Sequence, residues 1–231
     1  MVESLARETL QLFQEKPQVA VLMSGAGSNA INLISDPRVR DLYDIKVVAT
    51  DQPQSNARTI ADSFRLPYFE LAVKESLTDE TKRNEYFNTF ETALRSLGVS
   101  AIFYAGFMKV SSESFTKHLP GVNVHPADLS IVGENGLPAY RGMIAMEEMA
   151  TDLGHVRASF HIVDTPVDSG AVLSISEKLT MEPNEGYDDL HARLKEYEHI
   201  VYSETLIRIA NGKLTLDDAP VEIAHLRGLN K

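Results

Sequence analysis

The sequence has no cysteine, few basic residues for its acidic content and no long apolar run. The lack of cysteine excludes a disulfide framework and a zinc site built on thiolates, so nothing in the composition indicates secretion. The 22 lysines and arginines are outnumbered by 33 aspartates and glutamates, and the net charge of −11 argues against broad binding to nucleic acid or anionic membranes. No segment is apolar enough to span a bilayer, and the first residues lack the apolar run of a signal peptide. We therefore expect a cytoplasmic protein.

Short apolar runs of strand length alternate with helical patterns along the chain. Strands are expected at 18–24, 45–50, 67–70, 101–105, 122–125, 157–163 and 172–179. Helices are expected at 4–15, 55–64, 78–97, 111–118, 143–153 and 186–210, with a short helical stretch that follows the turn at 25–29 and ends at 35. This alternation predicts an α/β fold with a mostly parallel twisted sheet and helices on both faces. We expect one domain over residues 1–231, with a helical extension at 1–17 and a long polar loop at 126–142.

An Asn-x-His-Pro motif at the end of a predicted strand is the strongest candidate for chemistry. Asn123 and His125 are two residues apart, so both side chains point to the same side of the sheet. An imidazole can move a proton near neutral pH, and the amide can donate a hydrogen bond to a developing oxyanion. A carboxylate such as Asp168 could orient the imidazole and favour its protonated form. Alone, the motif also fits two satisfied polar groups at a strand end.

A glycine-rich turn, Gly25-Ala-Gly-Ser-Asn-Ala30, joins the first predicted strand to a helix. It matches the dinucleotide fingerprint G-x-G-x-x-A, and Asp51, about 20 residues later, would fit the ribose-binding carboxylate of a nicotinamide-dependent enzyme. Glycines and free N–H groups at a helix start favour any phosphate, however, and Ser28 and Asn29 add polar donors for a phosphate monoester. We expect phosphate binding, with a dinucleotide and a purely structural turn as the alternatives.

The last long predicted helix carries a polar stripe beside an apolar one. The polar residues share one face because their spacing is four, three and four, and they are His191, Lys195, Glu198 and Tyr202. The apolar stripe consists of Leu190, Leu194, Tyr197 and Val201. A polar stripe of this kind is usually a solvated face. The functional alternative assigns a phosphate to Lys195 and a sugar hydroxyl to Glu198.

Taken in order, several segments resemble the folate-dependent glycinamide ribonucleotide formyltransferases. The resemblance extends from about Gln18 to Leu216, and the matching stretches are 21–29, 105–109, 123–126, 159–163, 167–170 and 197–202. Asn-x-His-Pro with the later Asp-x-Gly is typical of the wider formyltransferase superfamily. The Ser-Gly-x-Gly-Ser-Asn, Ala-Gly-Phe-Met and Glu-His-x-x-Tyr stretches are closer to the glycinamide branch. The dinucleotide interpretation explains the first loop alone.

The resemblance implies a Rossmann-like formyltransferase fold with about seven strands, no dinucleotide and no metal. The co-substrate would be 10-formyltetrahydrofolate, and the acceptor would be the amine of glycinamide ribonucleotide, a step of purine biosynthesis. The amine attacks the formyl carbon, and Asn123 and protonated His125 stabilise the resulting oxyanion. Asp168 holds the imidazolium and helps to relay the proton to the folate leaving nitrogen.

The resemblance also implies two neighbouring ligand sites. The residues expected to bind the acceptor are Gly25, Gly27, Ser28, Asn29, Met108, Lys195 and Glu198. The residues expected to bind the folate are Met108, Lys109, Val110, Val163, Asp164 and Asp168. His161 is expected to be a core histidine with satisfied hydrogen bonds, with a supporting contact in the site as the alternative. The expected partners are small molecules, without nucleic acid or membrane, in a monomer or homodimer.

Three features depart from the family pattern. The loop at 126–142 is longer and more polar than usual, with Ala127 in place of a serine. Asp128 and Glu134 in this loop would favour a positively charged acceptor amine. Lys109 stands where the glycinamide branch commonly has an arginine, and a lysine cannot reproduce a bidentate contact. The extension before Gln18 is also atypical.

Because the loop borders the expected amine site, other acceptors remain as alternatives. An amino sugar, a hydroxyornithine or an aminoacyl-tRNA would keep the three catalytic residues, although the net charge counts against tRNA. A formyltetrahydrofolate hydrolase would use water as the acceptor. A descendant without enzymatic activity would be free to lose Asn123, His125 and Asp168, and all three are present.

Overall fold

An eight-stranded sheet forms the centre of the structure, a computed structural model that describes residues 2–73 and 76–224. The strands, in chain order, are β1 Gln18–Met23, β2 Asp44–Thr50, β3 Tyr68–Glu70, β4 Ala101–Tyr104, β5 Gly121–His125, β6 His155–Val156, β7 Ser159–Ile162, β8 Val172–Ser176, β9 Leu179–Thr180 and β10 Val221–Ile223. The order in the large sheet is β10-β8-β7-β5-β4-β1-β2-β3, and of its described strands β7 alone runs antiparallel to its neighbours. β6 and β9 form a separate antiparallel pair.

Eight helices are present in the described residues. They are α1 Val2–Gln14, α2 Ser28–Ser35, α3 Pro37–Leu42, α4 Ala57–Phe64, α5 Glu80–Ser96, α6 Glu113–His118, α7 Ala145–Leu153 and α8 Tyr187–Ala210. Three of these helices are preceded by a polar side chain that accepts a hydrogen bond from a backbone N–H group of the helix. These residues are Asp36 before α3, Asp79 before α5 and Ser112 before α6. None of the helices in this part of the chain is long and apolar enough to cross a membrane.

The alternating side chains of the buried strands divide the core into two layers. In β1, Val19, Val21 and Met23 point into one layer, while Ala20 and Leu22 point into the other. The first layer lies under α1, α2, α4 and α8, and the second lies under α5 and α6. A sheet covered on both faces explains the nearly continuous apolar runs of its strands. The predicted α/β class with a mostly parallel sheet is confirmed.

Several details differ from the sequence-based expectations. The large sheet has eight strands where about seven are expected, and α3, β6, β9 and β10 are not predicted. These elements have two to six residues, too few to show a hydrophobic period. The helix expected at 55–64 begins at Ala57, and the helix expected at 78–97 spans Glu80–Ser96.

The polar stripe predicted on α8 is not a solvated face. Glu198 and Tyr202 are buried, and the Tyr202 hydroxyl donates hydrogen bonds to the backbone carbonyls of Tyr104 and Val122, both at 3.0 Å. The helix therefore packs on the sheet with polar groups buried between the two.

The one-domain prediction extends to residues 225–231, which lie outside the described residues, and it stays a prediction.

The helix at the start of the chain is packed into the core through one aromatic ring. Phe13 is fully buried, with its ring centroid 6.0 Å from that of Tyr43 and 5.9 Å from that of Phe103. Phe13→Ala should lower the free energy of unfolding by about 3–5 kcal/mol, because it removes a buried ring and leaves a cavity. Urea denaturation followed by circular dichroism measures this change. Gln11→Ala, an exposed control in the same helix, should stay within about 0.5 kcal/mol of the parent. A loss below about 1 kcal/mol for Phe13→Ala would show that α1 adds little to the core.

Candidate active site

Asn123, His125 and Asp168 meet on one face of the sheet. Asn123 and His125 lie on β5, and Asp168 comes from the loop at 163–171 between β7 and β8. The Asp168 Oδ2 atom is 3.5 Å from His125 Nδ1 and accepts a hydrogen bond from the Gly142 N–H group at 2.9 Å. Asp168 has φ 55, a left-handed conformation that is uncommon outside glycine and is often found at functional sites. The structure thus brings together the three residues predicted to be catalytic.

Gly170 allows the Asp168 loop to approach the sheet. A Cβ atom at this position would lie 1.9 Å from the carbonyl oxygen of Ile162, so no other residue fits without a backbone shift. The Ile162 N–H group donates to the Ala171 carbonyl at 2.9 Å and closes the loop. This contact gives a physical reason for the Asp-x-Gly pattern.

His125 is a neutral base in the resting structure. Burial lowers the pKa of its imidazole, and the opposing effects of the Asp168 charge and of a hydrogen bond with the Tyr140 backbone carbonyl are smaller. The neutral imidazole is therefore favoured before a ligand binds. The Nε2 atom is buried and has no hydrogen-bond partner among the described residues. A buried acceptor of this kind is suited to take a proton from a bound ligand.

His161 orients the Asn123 amide. The Asn123 Nδ2 atom is 3.2 Å from His161 Nε2, and His161 Nδ1 is 3.0 Å from the carbonyl oxygen of Ile162. Because a carbonyl only accepts, Nδ1 carries the proton, and burial lowers the pKa of His161 to about 4. Nε2 is then an acceptor, so the Asn123 amide nitrogen donates to it and has a second N–H left for a ligand.

The interpretation of His161 as a satisfied core residue is incomplete. It is buried, but it lies opposite Asn123 in the antiparallel pairing of β5 with β7, and its Nε2 atom is also 3.7 Å from Asp168 Oδ1. The sequence offered this supporting contact only as the alternative, because the register of two distant strands is not visible in local periodicity. The Ser-Phe-His-Ile-Val stretch at 159–163, one of the segments that carry the family resemblance, was the sequence feature that pointed to a role for His161 in the site.

The glycine-rich turn has the geometry of an anion site. Gly27 has φ 80, and a Cβ atom there would lie 2.6 Å from both Ile60 Cδ1 and Met23 Cε. The first intrahelical bond of α2 runs from the Ile31 N–H group to the Gly27 carbonyl at 2.9 Å, and no side chain caps the helix. The N–H groups at 28–30 therefore have no acceptor within the helix.

Asn29 and Glu198 connect the turn to α8. The Asn29 amide nitrogen donates to Glu198 Oε2 at 2.9 Å, and both side chains are buried. Burial raises the pKa of Glu198 to about 7, partly opposed by this hydrogen bond and by the charge of Lys195. The Asn29 Oδ1 atom has no partner among the described residues. The side-chain nitrogen of Asn29 is thus bonded to Glu198. Its Oδ1 atom and its backbone N–H group remain available for a ligand.

Asp51 is occupied by protein groups. Its side chain is buried, and its two oxygens accept hydrogen bonds from Ser24 Oγ at 2.5 Å and Gln52 Nε2 at 3.0 Å. Lys109 Nζ lies 3.7 Å from Asp51 Oδ2. The dinucleotide alternative requires this carboxylate to bind a ribose, so the structure weakens that alternative.

The segments expected to hold the folate flank an open face. Met108 and Val110 are about half exposed, at 51% and 49%, whereas Val163 and Asp164 are partly buried. A cavity of about 760 Å³ lies between α5, α6 and the Asp168 loop, with Val110 and Val167 in its lining. Most of the other residues that line this cavity are polar or charged, and Val110 is the one residue of the expected folate set among them.

The loop at 126–142 is ordered and contacts the catalytic residues through its backbone. Val132 and Pro138 form a bridge inside it, and the Tyr140 carbonyl and Gly142 N–H groups bond to His125 and Asp168. Asp128, expected to favour a positively charged acceptor amine, is buried and lies 3.6 Å from the Arg157 guanidinium. Its charge is therefore paired within the protein.

The buried imidazole leads to a prediction on protonation. The Cε1–H resonance of His125 should titrate with a pKa below the ordinary 6.5, since burial disfavours the charged form. Asp168→Asn should lower this pKa further, because it removes the nearby charge that raises it. NMR titration, with the resonance assigned through His125→Gln, measures both values.

Asp164→Asn, in the same loop, is the matched control and should leave the titration of His125 unchanged. A pKa at or above 6.5 in the parent, or no response to Asp168→Asn, would contradict the assignment of a neutral resting imidazole held next to a carboxylate.

The comparisons with known proteins agree with this geometry. Residues 17–206 match the family described as formyl transferase. The chain is similar to the phosphoribosylglycinamide formyltransferase of Haemophilus influenzae, with 26% identity over 91% of this chain and 94% of that protein. It is 30% identical to the trifunctional purine biosynthetic protein adenosine-3 of Drosophila melanogaster over 90% of this chain, but it spans 15% of that protein's length. The crystal structure of glycinamide ribonucleotide transformylase 1 from Symbiobacterium toebii has a TM-score of 0.75 and 21% identity, covering 90% of this chain and 94% of that one.

Proposed function

The chain belongs to the formyl transferase family, and from that membership we propose that it transfers a formyl group from 10-formyltetrahydrofolate to the amine of glycinamide ribonucleotide in purine biosynthesis. One observation carries the proposal: two residues apart on β5, the buried Nε2 atom of His125 has no partner among the described residues and the Asn123 amide is held by His161. β1 leads to the glycine turn, β4 leads to the Met108 segment, and β5 carries Asn123 and His125. These three strands are neighbours and run parallel, so the three regions lie at the same edge of the sheet. The relative from Haemophilus influenzae, whose length the chain nearly covers, supports this acceptor.

The chemistry assigned to the catalytic residues is proton transfer with oxyanion stabilisation. The acceptor amine attacks the formyl carbon, and neutral His125 takes the proton that the amine loses. The new imidazolium lies 3.5 Å from Asp168, whose charge stabilises it, and the second N–H of Asn123 donates to the oxyanion. The bond from carbon to the folate nitrogen then breaks, and the proton passes to that nitrogen. The products are the formylated amine and tetrahydrofolate.

The acceptor phosphate is assigned to the turn at the start of α2. Gly25, Gly27, Ser28 and the backbone of Asn29 would bind it, with Lys195 adding a positive charge. Glu198 and Asn29 Oδ1 would take the ribose hydroxyls, which is supported by the buried, unpartnered state of that oxygen.

The folate is assigned to the exposed apolar segments next to Asp168. The residues proposed to line its site are Met108, Lys109, Val110, Val163, Asp164 and Asp168, and Met108 also borders the acceptor. The proposed partners are these small molecules, without a metal or nucleic acid. A cytoplasmic monomer or homodimer stays a prediction.

One assay separates this function from its alternatives. The purified protein is incubated with 10-formyltetrahydrofolate, with and without glycinamide ribonucleotide, while tetrahydrofolate and the formylated product are measured. The proposal expects tetrahydrofolate only with the acceptor, in equal amount to the formylated product. Release of tetrahydrofolate and formate without any acceptor would identify a hydrolase. No turnover with glycinamide ribonucleotide, but turnover with an amino sugar, would overturn the proposed acceptor.

The oxyanion role of Asn123 leads to a kinetic prediction. Asn123→Ala should lower kcat by about two to three orders of magnitude, the usual cost of removing one oxyanion donor, with a small effect on substrate affinity. Steady-state kinetics and calorimetric binding of glycinamide ribonucleotide measure the two effects. Asn123→Asp keeps the size but removes the N–H donors, so it should lose at least as much activity. A loss in affinity alone would make Asn123 a ground-state contact.

A further inference from the structure

We propose that the ammonium group of Lys109 acts by neutralising Asp51, and that this ion pair keeps the acceptor turn able to bind a phosphate. The inference rests on the proposed function, and it assigns Asp51 and Lys109 as positioning residues in the phosphate half of the site. The backbone of Lys109 still lines the proposed folate site, while its side chain supports binding of the phosphorylated acceptor.

A chain of hydrogen bonds connects Asp51 to both substrate segments through one hydroxyl. Ser24, which directly precedes Gly25, donates from Oγ to Asp51 Oδ1 at 2.5 Å and accepts at the same oxygen from the Met108 N–H group at 2.9 Å. The Ser24 N–H group also donates to the Gly106 carbonyl at 3.0 Å. The hydrogen bond to Asp51 thus fixes the Ser24 hydroxyl, and the hydrogen bonds of Ser24 to Gly106 and Met108 connect the glycine turn to the segment expected to bind the folate.

The position of Asp51 creates an electrostatic problem for a phosphate ligand. Its side chain has no exposed surface, and it accepts a hydrogen bond directly from Ser24, the residue before Gly25. A buried carboxylate is poorly screened by salt, so its charge would repel an anion bound on the turn. The donors from Ser24 and Gln52 are neutral, and they leave the charge in place.

Lys109 supplies the compensating charge. Its Nζ atom lies 3.7 Å from Asp51 Oδ2 and its side chain is 28% exposed, so the pair is partly shielded from solvent. A lysine is a compact point charge, which suits this single contact better than bidentate binding of a folate carboxylate. With Asp51 neutralised, the N–H groups of the turn and Lys195 determine the potential at the phosphate.

A four-protein comparison tests the inference. The parent, Lys109→Met, Asp51→Asn and the double variant are titrated with ribose 5-phosphate, glycinamide ribonucleotide and tetrahydrofolate by calorimetry. Lys109→Met should weaken both phosphate ligands about tenfold, the effect of one unneutralised nearby charge, and tetrahydrofolate less than about threefold. Asp51→Asn added to Lys109→Met should restore phosphate binding to within about threefold of the parent, because it removes the charge while keeping an acceptor for Ser24.

Two controls keep the result interpretable. Lys109→Arg keeps the positive charge and should bind the phosphate ligands nearly as the parent does. The affinity difference between the parent and Lys109→Met should persist in added salt, because the charge of the buried Asp51 carboxylate is poorly screened. Lys109→Gln replaces Lys109→Met if the latter melts at a lower temperature than the parent.

The opposite pattern would overturn the inference. If Lys109→Met mainly weakens tetrahydrofolate and Asp51→Asn does not rescue it, Lys109 binds the folate directly. If the parent binds these ligands but Lys109→Met loses no phosphate affinity, this inference fails alone. If the parent binds neither ribose 5-phosphate nor tetrahydrofolate, the proposed function fails and takes this inference with it.

Discussion

The antiparallel pairing of β7 with β5 is the contact on which the rest of the candidate site depends. It places His161 opposite Asn123, so that an imidazole buried by the sheet accepts from the catalytic amide. The loop after β7 returns across the same face and brings Asp168 within 3.5 Å of His125. A parallel β7 would remove both contacts. Among the described strands β7 alone runs antiparallel to its neighbours, and this reversal brings the residues of the candidate site together.

Burial shifts the pKa values of three groups in this region in the direction that favours the neutral form. It lowers the pKa of His125 and His161 and raises that of Glu198, so all three favour their neutral forms before a ligand binds. A site with neutral bases and oriented N–H donors is prepared for charge that develops during a reaction, at little cost in reorganisation. The loop at 126–142 takes part through its backbone, which makes the contacts independent of most of its side chains.

Sequence patterns predicted the elements and the chemistry of the site, and they failed where distant parts of the chain meet. The Asn123 and His125 pair, the glycine turn and the buried stripe of α8 follow from spacings within a few residues. Asp128 was expected to favour the acceptor amine because it is close to His125 in the sequence, but its carboxylate is buried and lies 3.6 Å from the Arg157 guanidinium. Short strands such as β10 carry no period to detect. The formyl transferase family was recognisable because its motifs are local.

The sequence by itself determined which residues share a face, where the chain must turn and which side chains can carry a proton, because these depend on backbone periods and on intrinsic chemistry. Gly27 is favoured at its turn for a local reason, its φ of 80, whereas the close approach of the Ile60 side chain depends on the tertiary structure. Only the tertiary structure decided the protonation of His125, the pairing of Asn29 with Glu198 and the ion pair between Lys109 and Asp51. These features join residues far apart in the chain, and their energies follow from burial and from distances that no local pattern encodes.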